Sequence, residues 1–218
     1  ETSNLNIAII TCVSHDNHLL FPHLIDDIIE KFKPNQININ LVRGESVDSP
    51  AVESAILERY RQAVDLYAER LLQGKLTSYS FFGKKLMRLK ELLQKDIIYR
   101  VAKNNEFVTP CLSGNLNYVI WEDGRVNACE MLHETISTVH QNSDFKSIIK
   151  SKKALSLRKK IIDSQCKCTY ECSMSANAFF SYPMTRKLIS ALIFGFRPDS
   201  VSYSTKKTNA SKDTVLTH

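Results

Sequence analysis

Glycine is scarce in this chain, six residues in 218, which argues against a loop-dominated fold. Long apolar runs are missing too. The longest late one, residues 188–194, falls well short of the roughly 20 residues a spanning helix needs, so no membrane is expected. No signal-like segment opens the chain. No paired C-x2-C knuckles of the zinc-ribbon type are present, and no platform of alternating aromatic and basic residues suggests a single-stranded nucleic-acid binder. What is there is a 43% hydrophobic chain able to bury a real core, enough for one main domain and a smaller appendage. The net charge of +6 sits largely in helix-like stretches such as residues 84–90, whose ordinary explanation is a solvated face. Nucleic acid is therefore not expected as a partner.

Cysteine is also sparse, but its placement is not random. Five of the six fall in two short windows: Cys111 with Cys129, then Cys166, Cys168 and Cys172; Cys12 stands apart. Between Cys111 and Cys129 the sequence predicts a hairpin, with β-rich residues on either side of Asp123-Gly124, a pair that accepts positive φ in a tight turn. A hairpin returns the chain to its origin and can bring those two cysteines together. Thiolates packed as densely as those of the second window repel one another unless they oxidise or a cation neutralises them. Clustered thiols in a chain without an export signal favour metal over disulfides, and with it a reducing, cytoplasmic location. Four thiolates suit tetrahedral zinc or an iron–sulfur cluster. The wide hairpin spacing and the C-x-C-x3-C window are not zinc knuckles, and they lean towards the larger four-iron cube. Cys168 and Cys172, four apart, would share a helical face, which makes Cys111, Cys129, Cys168 and Cys172 the expected ligands with Cys166 the nearest competitor.

The pattern C-x12-G-x4-C, formed by Cys111, Gly124 and Cys129 with Asp-Gly-x-Val before the second cysteine, resembles the opening of the SPASM or twitch domain of radical S-adenosylmethionine enzymes. The continuation, Cys129-Glu-Met-Leu, a basic helix, Cys166-Lys-Cys-Thr-Tyr-Glu-Cys172 and Ser175-Ala-Asn-Ala-Phe-Phe180, resembles that superfamily as well. The resemblance implies a partial (β/α) barrel followed by a small cysteine-rich domain carrying an auxiliary [4Fe–4S] cluster. With too few cysteines for the seven of the two-cluster version, one auxiliary cluster is the most the chain can hold on cysteine alone.

Upstream, residues 6–12 read as a buried strand. Leu20, Leu24, Ile25, Ile28, Ile29 and Phe32 follow on one helical face, and residues 36–42 form a strand of strict alternation. Strand, helix, strand with a crossover of this length is a β/α unit. Asn38 and Asn40 on the polar face of the second strand suit either a substrate-facing lumen or a solvated edge. By resemblance to late barrel strands, whose following loops build active sites, Asn17 and Arg43 are candidates for facing cofactor or substrate. A helix cap and a surface salt bridge are their ordinary alternatives. Two further helices, one starting near Ser49-Pro50 and one carrying Leu86, Leu89, Leu93, Ile97 and Val101, show no chemistry in sequence. After the hairpin, Asp144 is expected to cap one basic helix running on towards Ile162, and a last helix follows from Met184 to Phe194.

The expected fold class is α/β, with β/α units of a partial TIM-like barrel (1–75), a helical linker (76–106), a small α+β SPASM/twitch-like domain with a β-hairpin (107–195) and a disordered tail (196–218). The C-x3-C-x2-C triplet that holds the catalytic cluster of the radical enzymes is absent, so the chain resembles the C-terminal part of a longer enzyme. The resemblance implies S-adenosylmethionine as cofactor of the intact enzyme, a reductant such as a flavodoxin or ferredoxin, and a peptide or small-molecule substrate. The different-class alternative is a zinc-stabilised or electron-transfer module with no catalysis of its own.

Overall fold

A computed structural model describes residues 6–43, 52–76, 82–141 and 143–195. β1 (Ala8–Val13) and β2 (Gln36–Leu41) pair in parallel, Ala8 opposite Gln36 through Val13 opposite Leu41. β1 is not the buried strand expected: only Val13 is buried, and Ile10 is exposed because the second face of this two-stranded sheet is not covered there. α1 (His23–Phe32) crosses between them and buries Ile25, Ile28 and Ile29. It stops at Lys33, whose left-handed φ of 46° turns the chain into Pro34. Along β2 the alternation predicts the faces: Ile37, Ile39 and Leu41 are buried in the core, and Gln36, Asn38 and Asn40 lie half-buried on the other side.

α2 (Ser54–Leu72) covers the core face of the sheet with Ile56, Tyr60, Val64, Tyr67 and Leu71. The sequence places the start of this helix at Ser49-Pro50, residues that lie outside the described ones; it begins instead at Ser54, after Glu53 in an extended conformation (ψ 138°). α3 (Lys84–Asn104) carries the expected stripe of Leu89, Leu93, Ile97 and Val101, but it is buried on a second side as well. Lys90, Glu91, Gln94, Lys95 and Asp96 are each less than a tenth exposed. α3 is packed by α2, by α6 (Glu171–Phe180) and by α7 (Tyr182–Phe194), which surround it.

The second region is a three-stranded antiparallel sheet of β3 (Val119–Ile120), β4 (Arg125–Asn127) and β5 (Thr135–Thr138). The hairpin turn closes as its sequence predicts: Trp121 N donates to Arg125 O and Gly124 N to Trp121 O, both at 2.9 Å. Gly124 has φ of 79°, and a Cβ there would sit 2.6 Å from the His140 ring. β5 was not expected from the sequence. The single basic helix is in fact two, α4 (Phe145–Lys150) and α5 (Lys152–Asp163). Ser151 breaks it by adopting an extended backbone and accepting the Ala154 N–H on its hydroxyl, the geometry of a new N-cap. Asp144 caps α4 as expected, accepting from Lys146 N.

Two apolar cores result. The larger joins β1, β2 and α1 to α3 with Met174, Ala178, Met184, Leu188 and Ala191 of α6 and α7. The smaller gathers Val126, Ala128, Ile136, Ile148, Ala154, Leu157 and Ile161 around Cys111. The architecture is mixed α/β, dominated by helices with small sheets. Among the described residues no helix is long and apolar enough to cross a membrane. The tail expected at 196–218 lies outside the described residues.

Candidate metal centre

Four free thiols converge at the seam of the two cores: Cys111, Cys129 and Cys168 buried, Cys166 half-buried. Local structure delivers each. Cys111 precedes the turn closed by the Ser113–Asn117 bridge, and Cys129 follows β4. Gln165, at φ 49°, bends the chain out of α5 so that Cys166 N donates to Ile161 O at 3.1 Å. Cys168 comes three residues before α6 begins at Glu171.

Their electrostatics are mutual. A hydrogen bond from the Cys166 thiol holds Cys111 down to about 6 against its burial, with Ser113 and Asn177 adding donors. The same bond, burial, and the charges of Cys111, Cys168 and Cys129 push Cys166 far up. Burial first, then Cys111 and Cys129, push Cys168 up to about 12, offset in part by the Tyr170 N–H and by Arg43. Cys129 Sγ accepts the Met131 N–H at 3.4 Å and lies 3.9 Å from Ser173 Oγ. Ser173 is in turn 3.1 Å from Ser113 Oγ, and the fully buried Asn177 accepts Leu112 N–H at 2.8 Å. Sulfurs surrounded by N–H and O–H donors are sulfurs prepared for negative charge. Among the described residues no three His, Cys, Asp or Glu side chains close on one point as ligands of a single metal ion. The donor set, four neighbouring thiols of which Cys111, Cys129 and Cys168 have hydrogen-bond donors turned on them, chemically fits a thiolate-ligated group.

Cys172 is not among the four. It is exposed in the first turn of α6 and lines a separate cavity with Asn38 and Asn40 of β2. The helix that would align Cys168 with Cys172 begins only at Glu171, so the two thiols part. Cys12 is exposed on β1. Asn17 serves its own loop: its Nδ2 donates to Cys12 O at 2.8 Å and its Oδ1 accepts from Ser14 N at 2.9 Å. Arg43 reaches across to the thiol region. Its guanidinium lies 4.8 Å from the Tyr170 ring centroid, 3.5 Å from Glu130 and 3.2 Å from Met131 Sδ.

The donors Ser113, Ser173 and Asn177 escaped the sequence reading, although each lies within a few residues of a cysteine. So did the buried charges of α3. Their signal was the adjacent Ile97 and Ile98 with Ala102, which make the helix apolar on more than one side. No family model, no curated protein and no solved structure matches this chain.

Proposed function

We propose that this chain is the iron–sulfur-binding part of a radical S-adenosylmethionine enzyme, holding one auxiliary [4Fe–4S] cluster on Cys111, Cys129, Cys166 and Cys168. The observation that carries the cluster is the convergence of four free thiols from three separate segments into one donor-rich seam. The enzyme class is supported by the C-x12-G-x4-C pattern, its continuation to Phe180 and the parallel β/α unit upstream. When bound, such a cluster supplies one-electron transfer. The residues here bind it, bury it and orient donors at its sulfurs. Arg43, whose charge lowers Cys168, favours the more negative state of whatever the thiols hold. The initiating cluster, with an iron open to S-adenosylmethionine, comes from outside these residues, with electrons from a flavodoxin or ferredoxin. Peptide or small molecule remains the substrate class.

Anaerobically purified protein should be brown and contain iron and sulfide in equal amounts, roughly four of each per chain. Colourless protein with stoichiometric zinc sinks the cluster. Alanine at Cys111, Cys129, Cys166 or Cys168 should abolish iron loading, and alanine at Cys12 or Cys172 should spare it. Loss in the Cys172 variant with retention in the Cys166 variant would replace the fourth ligand. Reduced and supplied with S-adenosylmethionine, the chain alone should form no 5′-deoxyadenosine.

A further inference from the structure

On the face of β2 opposite the core, a polar cavity of about 580 Å³ opens between the sheet, α3 and α6. Charged side chains are seldom buried unless paired, yet α3 buries Lys90, Glu91 and Lys95 against this cavity. Glu91 is well held, by Gln36 Nε2 at 2.5 Å and Tyr67 OH at 3.2 Å. The others are not. Lys95, only 4% exposed, gives one of its three N–H groups to Ile39 O at 3.0 Å. Lys90 bonds only neutral oxygens, Gln94 Oε1 at 3.3 Å and Ser175 Oγ at 3.1 Å. Glu171 takes Gln94 Nε2 on Oε2 at 2.6 Å, while its Oε1 is buried without a partner.

The cavity therefore holds ammonium donors and a carboxylate acceptor with capacity left over, and its two lysines and two glutamates sum to no net charge. A simple anion would leave Glu171 Oε1 unanswered, and a simple cation would leave the lysines unanswered. A molecule bearing both charges answers all of them. Asn38 and Asn40, along one wall, offer carboxamides to an amide or a side chain. We propose that this cavity binds a zwitterion, a free α-amino acid or a short peptide with both ends uncapped, its carboxylate on Lys90 and Lys95 and its ammonium on Glu171. The site stands on its own geometry and holds whichever metal the thiols carry.

The test is calorimetric titration of the full chain with the twenty common amino acids and glycylglycine, beside acetylated and amidated glycylglycine. At least one free-ended compound should bind saturably below about 10 mM, and capping either end of the peptide, or of the best amino acid, should weaken binding about tenfold or more. A preference for the amino acids or for the peptide identifies the source. Glu171→Gln, which keeps shape, should weaken binding by a similar factor with an unchanged circular-dichroism spectrum. Lys95→Met should do the same, and Asn40→Leu, on the cavity wall, serves if Lys95→Met does not fold. Cys129→Ala should leave binding intact even where iron is lost. No saturable binding by any free-ended compound, or equal binding of capped and uncapped forms, overturns the proposal.

Discussion

Two clusters of buried titratable groups flank the start of α6, and they solve burial in opposite ways. At the thiol seam the groups are alike: the hydrogen bond from Cys166 pulls Cys111 down and pushes Cys166 up, burial pushes Cys168 up, and the charge of each ionised sulfur adds to both rises. In the α3 cavity the groups are of opposite sign. Burial lowers Lys90 and Lys95 and raises Glu171, while the neighbouring lysines and glutamates pull each back. Like groups need a cation from outside; mixed groups balance within the protein. On the proposed reading the seam should thus depend on a bound metal for stability and the cavity should not.

The sharpest way to break that contrast is to strip the metal. The loaded protein should lose roughly 10 °C in Tm, several kcal/mol of linked folding energy. Hydrogen-exchange protection should fall in β3, β4, β5, α4 and α5 and persist in α2 and α3. Equal loss in both regions would erase the distinction. Next in size, Ile97→Ala, at a fully buried site of the larger core, should cost about 3–4 kcal/mol in urea unfolding. Ile148→Ala, in the smaller core, should open the β4 and β5 amides instead and leave those of α2 protected.

Lys95→Met tests the balance directly. Removing the ammonium leaves Glu91 and Glu171 less compensated and should destabilise by about 2–3 kcal/mol. Adding Glu171→Gln should cost less than the two single changes together, and strict additivity would show that the charges do not sense one another. The smallest effect lies outside both clusters, at Asp26, which meets Arg70 at 2.6 and 2.8 Å. This bond lowers the Asp26 pKa, so its contribution is present above the ordinary carboxylate pKa and fades as pH falls through the lowered one. The Asp26 side chain is 39% exposed, so Asp26→Asn should cost only about 0.5 kcal/mol at pH 7, and less still near pH 3. Urea curves at both pH values measure it.

What the sequence made legible follows from short-range chemistry. The alternation of β2, the Asp123-Gly124 turn and the apolar stripe of α2 depend on neighbours a few residues away, and each appears where the pattern puts it. The stripe expected on α1 holds at Ile25, Ile28 and Ile29, but Leu20 precedes the helix, and it and Phe32 are exposed. The break at Ser151 was missed because a serine inside a basic, apolar-periodic run reads as tolerated until its hydroxyl is seen capping Ala154. The choice between Cys166 and Cys172 rests on where α6 starts. Thr169 is a capping residue type, but the N-cap is Tyr170, whose side chain makes no cap bond, so no residue fixed that start. The buried charges of α3 were illegible for a deeper reason. Whether a lysine on a helix meets water or a wall depends on helices that arrive some eighty residues later in the chain, such as α6 with Ser175 and Glu171.

The position of Cys168 has a kinetic consequence. Cys111 and Cys129 are joined by one hairpin, an element that forms in microseconds, so half of the thiol set assembles as soon as that segment is made. Cys166 and Cys168 lie beyond α4 and α5, and Cys168 is packed in the larger core together with α6 and α7 rather than in the smaller one. Cys166 packs against the smaller core at the end of α5, so it is Cys168 that arrives only when α6 docks beside α3, a long-range closure whose entropy is met late. A nascent chain halted after Cys129 offers two thiols, and a full set appears only with the docked C-terminal helices. If the thiols hold the proposed cluster, its capture is timed by helix docking, and a variant that slows docking should slow loading in step while leaving hairpin formation as fast as before.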